Sequence, residues 1–141
     1  MLEKMQNIRC FSRVMIRRAT KEYQMPAEHL DLLSQLAVRN EKMTPMTLSK
    51  LMKVNKTIIS RIIEQLNNKG YLIKTKDEKD KRSYFVSITE LGEEQLRKIY
   101  KHYLGPIYEL RRKLGEQEFI QLMTCIEEAT IKMNEHGEAM S

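Results

Sequence analysis

Tryptophan is absent from this 141-residue chain, aromatic residues make up only 6% of it, and there are five glycines and three prolines. Sheet-rich folds need glycine and proline at their hairpins and bulky side chains between their layers, so this scarcity excludes them and leaves a mostly helical fold. Two cysteines, Cys10 and Cys125, are too few for a disulfide framework or a zinc-ligand set. His29, His102 and His136 stand far apart without metal-ligand spacing, so neither a metal nor another cofactor is expected. No long apolar run occurs. Charges are spread through Met1 to Arg18, which therefore reads as neither a signal peptide nor a membrane span, and a cytoplasmic protein is expected. A glycine-rich phosphate loop, a Ser/His/Asp set and paired carboxylates with an obvious site are also missing, which argues against an enzyme.

What is present is charge. The chain is 31% charged with a formal net charge of +6, and its 41% hydrophobic content suffices for one core. Residues 1–43 have a balance of +3, residues 44–90 of +5 and residues 91–141 of −2. Most of the excess lies in the middle third, which points to an acidic partner there.

Leu2, Met5, Ile8, Phe11 and Met15 recur at helical spacing, with an interruption expected at Met25-Pro26. A second helix is expected from about Pro26 through Leu30, Leu33, Leu36 and Ala37. In the middle third, Thr47 reads as the N-cap of a short helix holding Leu48, Leu51 and Met52. Asn55 reads as the N-cap of the next, which buries Ile59, Ile62, Ile63 and Leu66 and ends at Gly70. Thr57, Ser60, Arg61 and Glu64 fall on its opposite face, with Glu64 expected simply to face solvent. Tyr71 to Lys76 and Tyr84 to Thr89 read as strands, joined through the charged tip Asp77 to Ser83. From Leu91 the helical rhythm returns through Leu96, Ile99, Tyr103, Ile107 and Leu110, with a kink expected at Gly105-Pro106. After Gly115 a last helix carries Phe119, Leu122, Met123, Ile126 and Met133, with Cys125 expected in its core and a frayed tail from Asn134.

A short helix, a tight turn, a second helix and a charged hairpin follow the order of a winged helix-turn-helix, whose second helix enters the major groove of duplex DNA. Asn55, Lys56, Thr57, Ser60 and Arg61 supply amide, hydroxyl and cationic donors on the second helix, and Lys76, Lys79, Lys81 and Arg82 supply long cations on the hairpin. Ile58 reads as a packing residue in preference to a contact with a thymine methyl. The fold class expected is mostly α with a small two-stranded β-wing. The alternative is a winged-helix protein-interaction module that does not bind DNA; the concentration of positive charge in residues 44–90 opposes it.

The run from Thr47 to Gly92, and above all Asp80-Lys81-Arg82 followed by Val86-Ser87-Ile88-Thr89-Glu90-Leu91-Gly92, resembles the DNA-binding core of the MarR/SlyA family of transcriptional regulators. The resemblance extends over nearly the whole chain and implies one domain, 1–141. Within it, 27–92 would be the winged helix-turn-helix core, and 1–25 and 93–135 N- and C-terminal dimerisation helices. It implies that Arg82 reaches the minor groove and that Asp80 orients it. The long amphipathic terminal segments could pack on each other or on a second copy; the resemblance implies a homodimer reading inverted-repeat DNA. It further implies a repressor, nucleoid-associated when bound to DNA, whose affinity a small-molecule effector or an oxidant changes. Cys10, on the first helix beside Phe11, is the candidate redox sensor, although no tyrosine lies between Met25 and Leu36 to stabilise a thiolate. Two departures stand out: Lys53 occupies the turn where the family often has glycine, and Ile58 a position where a small hydroxyl residue is common.

Overall fold

The computed structural model describes residues 1–21 and 25–140, and the side chains of 1–16 and 25–135. The expected break before Pro26 falls partly outside this range, as does the side chain of His136. Among the described residues there are seven helices, α1 (Leu2–Lys21), α2 (Ala27–Arg39), α3 (Pro45–Met52), α4 (Lys56–Asn68), α5 (Glu90–Tyr103), α6 (Gly105–Leu114) and α7 (Glu116–Met140), and two strands, β1 (Leu72–Lys76) and β2 (Tyr84–Ile88). No helix among them is long and apolar enough to cross a membrane.

The chain forms two compact units, Met1–Tyr103 and Leu104–Ser141. In the first, the fully buried core comes from α2 (Leu30, Leu32, Leu33, Leu36), α3 (Leu48), α4 (Ile59, Ile63, Leu66), β1 (Leu72), β2 (Val86) and α5 (Leu96). The i, i+3, i+4 spacing of the α4 residues puts one face against this core and turns the other outward. The strands pair antiparallel with Lys74 opposite Val86 and Lys76 opposite Tyr84. On the other side of β2, Met43 exchanges both main-chain hydrogen bonds with Val86, at 2.9 and 2.7 Å. The hairpin is therefore pinned to the segment between α2 and α3, a bridge that a single residue gives the sequence pattern no means to announce.

Several boundaries differ from the sequence reading, among them the start of β1 at Leu72 in place of Tyr71. Helix α3 begins at Pro45, capped by Thr44, whose hydroxyl accepts the Thr47 N–H at 3.2 Å. Thr47 is thus a donor inside the first turn rather than the cap; Pro45 has no N–H to satisfy, and its fixed φ suits the first helical position. Thr89 leaves the strand to start α5: its hydroxyl accepts the Gly92 N–H at 3.0 Å and donates to the Gly70 carbonyl at 2.6 Å. Helix α7 continues past Asn134 to Met140, since its end holds no proline and Glu135, Glu138, Ala139 and Met140 are good helix formers. The interruption at Gly105-Pro106 separates α5 from α6 as two helices.

In the second unit α6 and α7 pack together, half-burying Phe119, Leu122 and Met123. Cys125 is exposed, contrary to its expected core position, and Ile120, Ile126, Ile131 and Met133 are exposed with it. One neighbouring helix covers only one face of α7, so the apolar residues outside that face stay uncovered within the unit. The same holds along α1, where Leu2, Met5, Ile8 and Phe11 are exposed and Met15 is half-buried.

His29 is buried, at 8% exposure, and its Nδ1 has no hydrogen-bond partner. Burial, helped by the charge of Lys69, lowers its pKa, against weaker upward pulls from a hydrogen bond with Gln65 and from Glu28. On acidification the unfolded chain takes up its proton first, near the ordinary value of about 6.5, so stability falls as pH drops through that value toward the lower folded pKa. Asp31, whose carboxyl is pushed up by desolvation and then by Glu28, acts in a more acidic window and with the opposite sign. Urea unfolding at about pH 7.5 and about pH 5.5 is expected to show a loss of stability for the parent, and a smaller loss for His29→Leu; equal losses would remove His29 as the cause.

Candidate nucleic-acid interface

The turn between α3 and α4 is closed by three hydrogen bonds. Lys53 donates its main-chain N–H to Ser49, Val54 donates to the same carbonyl at 3.2 Å, and the Ser49 hydroxyl donates back to the Val54 carbonyl at 2.5 Å. Closing so tightly requires a left-handed residue, and Lys53 takes that role at φ 56°. A side chain there costs about 1 kcal/mol relative to glycine. The turn thus keeps the geometry that a glycine would give, despite the departure from the family pattern.

Asn55 caps α4 by accepting the Thr57 N–H on its side-chain oxygen at 2.7 Å. Its amide nitrogen is the part left to donate outward. Lys56, Thr57 and Arg61 are exposed and Ser60 is half-buried, so the four project from the outer face of α4 to different degrees. Ile58 is half-buried and packs against the core. Glu64 does not merely face solvent: it pairs with Lys74 of β1.

On the hairpin, Lys76, Lys79, Lys81 and Arg82 are all exposed. Two short Asx hydrogen bonds shape the tip. Asp77 accepts the Lys79 N–H and Asp80 the Arg82 N–H, each at 3.0 Å, and Ser83 donates to the Asp80 carbonyl at 3.1 Å. The carboxylate of Asp80 therefore meets the main chain of Arg82, where paired bonds to its guanidinium would be the simplest expectation for an orienting residue. A two-residue separation favours this local bond, because an Asp side chain reaches the N–H two residues on without ordering a long side chain. Lys79 and Arg82 are each placed one turn after an Asp, a spacing readable from Asp77-x-Lys79 and Asp80-x-Arg82.

The wing's base is fixed by close packing. Gly92, buried at the start of α5, leaves no room for a side chain: an added Cβ would stand 2.2 Å from the Tyr71 carbonyl oxygen and 2.8 Å from Ile88 Cγ1. Tyr71 in turn accepts the Thr89 N–H at 3.0 Å. The Thr-x-x-Gly spacing at Thr89 and Gly92 thus ties the end of α4, the end of β2 and the start of α5 into one joint. No group of three or more His, Cys, Asp or Glu side chains that could hold a metal ion is found among the described residues.

A family model described as a winged helix DNA-binding domain matches residues 25–92. The structure is similar to the crystal structure of the transcriptional regulator SlyA, with a TM-score of 0.79 and 19% identity over 97% of this chain and 98% of that one. It is also similar to a mutant MarR from E. coli complexed with operator DNA, with a TM-score of 0.67 and 21% identity over 91% and 90% of the two chains. In sequence it is 30% identical over 114 residues to YkoM, an uncharacterized HTH-type transcriptional regulator of Bacillus subtilis (strain 168), covering 81% of this chain and 73% of that protein. The chain belongs to the HTH-type transcriptional regulators, and it has the winged-helix fold of the MarR and SlyA structures. In this winged helix-turn-helix fold α3 and α4 are the helix-turn-helix, α4 stands in the position of the recognition helix, and the β1–β2 hairpin is the wing. The class is non-enzymatic.

Proposed function

We propose that this regulator is a repressor that occupies an inverted-repeat promoter site as a homodimer, in the cytoplasm, with its affinity changed by a small-molecule ligand or an oxidant. The observation that carries the DNA-facing part is the division of exposed donors between two elements. Lys56, Thr57 and Arg61 stand on a capped helix, and Lys79, Lys81 and Arg82 on a hairpin tip shaped by its own Asp residues. A helix of that kind, with Asn55 and Ser60, suits base edges in the major groove, and a cationic hairpin suits the flanking backbone and minor groove. In this reading Lys76 and the wing lysines bind phosphate, Arg82 enters the minor groove and Asp80 orients it through the wing backbone.

The dimer reading is supported by apolar residues left uncovered at both ends of the chain, Leu2, Met5 and Ile8 on α1 and Ile120, Ile126 and Ile131 on α7. Large apolar side chains exposed in rows on amphipathic helices favour association, and a two-fold dimer presents two recognition helices to one face of the duplex. Exposure of the Cys10 thiol supports access by an oxidant.

Hydroxyl-radical footprinting on the regulator's own upstream DNA tests this reading. Two protected half-sites about 10 base pairs apart, centre to centre, are expected. Loss of protection on adding a phenolic ligand or peroxide would identify the effector class. A single isolated half-site would contradict the dimer, and absence of protection on any duplex would favour a protein partner instead.

A further inference from the structure

The recognition helix and the wing are joined at the edge of the core by three side chains, of which Tyr84 also packs against it. Glu64, one turn beyond Arg61 on the outer side of α4, pairs with Lys74 of β1. The Lys74 ammonium also lies over the ring of Tyr84 on β2, 5.1 Å from its centroid. Strand alternation and the register explain the meeting. Leu72, Lys74 and Lys76 share one face of β1, and Tyr84, Val86 and Ile88 share the corresponding face of β2. Leu72 and Val86 are fully buried on that face. As the hairpin leaves the core, the place taken by Leu72 passes to Lys74, whose side chain is 31% exposed against 56% for Glu64. Beyond Leu72, β1 is therefore tied back to α4 by an ion pair, while on β2 Tyr84 still packs against the core.

We infer that Glu64, Lys74 and Tyr84 form a strut that sets the direction of the wing relative to the recognition helix, so that Arg82 and the α4 donors reach their grooves together. Glu64 and Lys74 are positioning residues here. The inference rests on the DNA-binding reading for its consequence, but not for its geometry. A partly exposed ion pair is worth little to global stability, as is an exposed cation–π contact. A small energy matters more in the outer half of a two-stranded hairpin, beyond the Met43 bridge and the Gly92 joint that fix its base. Charge alone makes the opposite forecast for Glu64: an anion on the helix face that approaches phosphate should weaken binding, and removing it should help.

Two measurements on Glu64→Gln and Lys74→Met, with dimerisation and melting temperature checked against the parent, decide the matter. In the free protein, amide residual dipolar couplings of residues 74–84 and of α4 should fit one orientation in the parent. In either variant, the wing couplings should shrink while those of α4 hold. Unchanged wing couplings would overturn the strut whether or not the protein binds DNA. On a footprinted duplex, Glu64→Gln should bind about threefold more weakly, and the penalty of Arg82→Ala should shrink by about fivefold in that background, as coupled residues require. Tighter binding by Glu64→Gln, or an undiminished Arg82→Ala penalty, would also overturn it. A parent that binds no duplex at all would refute the DNA-binding reading, leaving the dipolar couplings to judge the strut.

Discussion

Gly92→Ala is expected to destabilise the regulator by about 3 kcal/mol or more and to lower its melting temperature by roughly 10 °C, if the variant folds at all. The cause is space rather than backbone conformation. The new methyl would press on the Tyr71 carbonyl oxygen and the Ile88 side chain at 2.2 and 2.8 Å. Neither can easily retreat: the Tyr71 carbonyl is held by the Thr89 N–H, and Ile88 closes the strand opposite Leu72, which is fully buried. Overpacked cores relax by moving flexible side chains, and here the nearest atom is main chain. Gly105→Ala is the natural control, because nothing lies within 4 Å of its added Cβ. Its effect should stay within about 0.5 kcal/mol. Urea or thermal unfolding of both variants checks the pair; equal midpoints for Gly92→Ala and the parent would show that the joint between α4, β2 and α5 is looser than its geometry.

Arg82→Ala is expected to reduce affinity for specific DNA by about 10- to 100-fold, equal to about 1.4 to 2.7 kcal/mol. Asp80→Ala is expected to reduce it by only about threefold, although it removes a negative charge beside phosphate. The hydrogen bond from the Arg82 N–H to Asp80 explains the sign. That bond orders the hairpin backbone from which the arginine projects, so the entropy of fixing the tip is partly lost before DNA arrives. Counting charges alone gives tighter binding for Asp80→Ala. Affinities measured at one salt concentration, with folding and dimerisation intact, separate the two; tighter binding would make Asp80 a solvated wing residue and no more.

Features written in a few consecutive residues were legible in the sequence. Asn55 before an apolar helical stripe, Gly70 after it, and alternation through Tyr84, Val86 and Ile88 each specify local backbone, and the structure has a cap, a left-handed residue and a strand there. Thr44 was equally readable, since threonine before proline marks a helix start, but Thr47 offered a competing cap nearer the apolar run. Other features depend on what a residue meets in space. The Met43 bridge to Val86 and the pairing of Glu64 with Lys74 join segments that no local pattern connects. Cys125 shows the converse: an apolar neighbour at Ile126 suggested burial, yet within its unit α7 packs on α6 alone, which covers one face of it.

Salt dependence of specific DNA binding tests the central claim most directly, because it counts the phosphates that the helix and wing neutralise. Affinity should fall steeply with salt, with a log–log slope of about −0.9 for each phosphate neutralised. Lys79 is exposed on the wing tip, and a homodimer carries it twice. Lys79→Ala should therefore make the slope shallower by about 1.8 and weaken binding similarly across sequences. A flat salt response for the parent, or a Lys79→Ala slope unchanged from it, would contradict a dimer that holds duplex DNA through its wings.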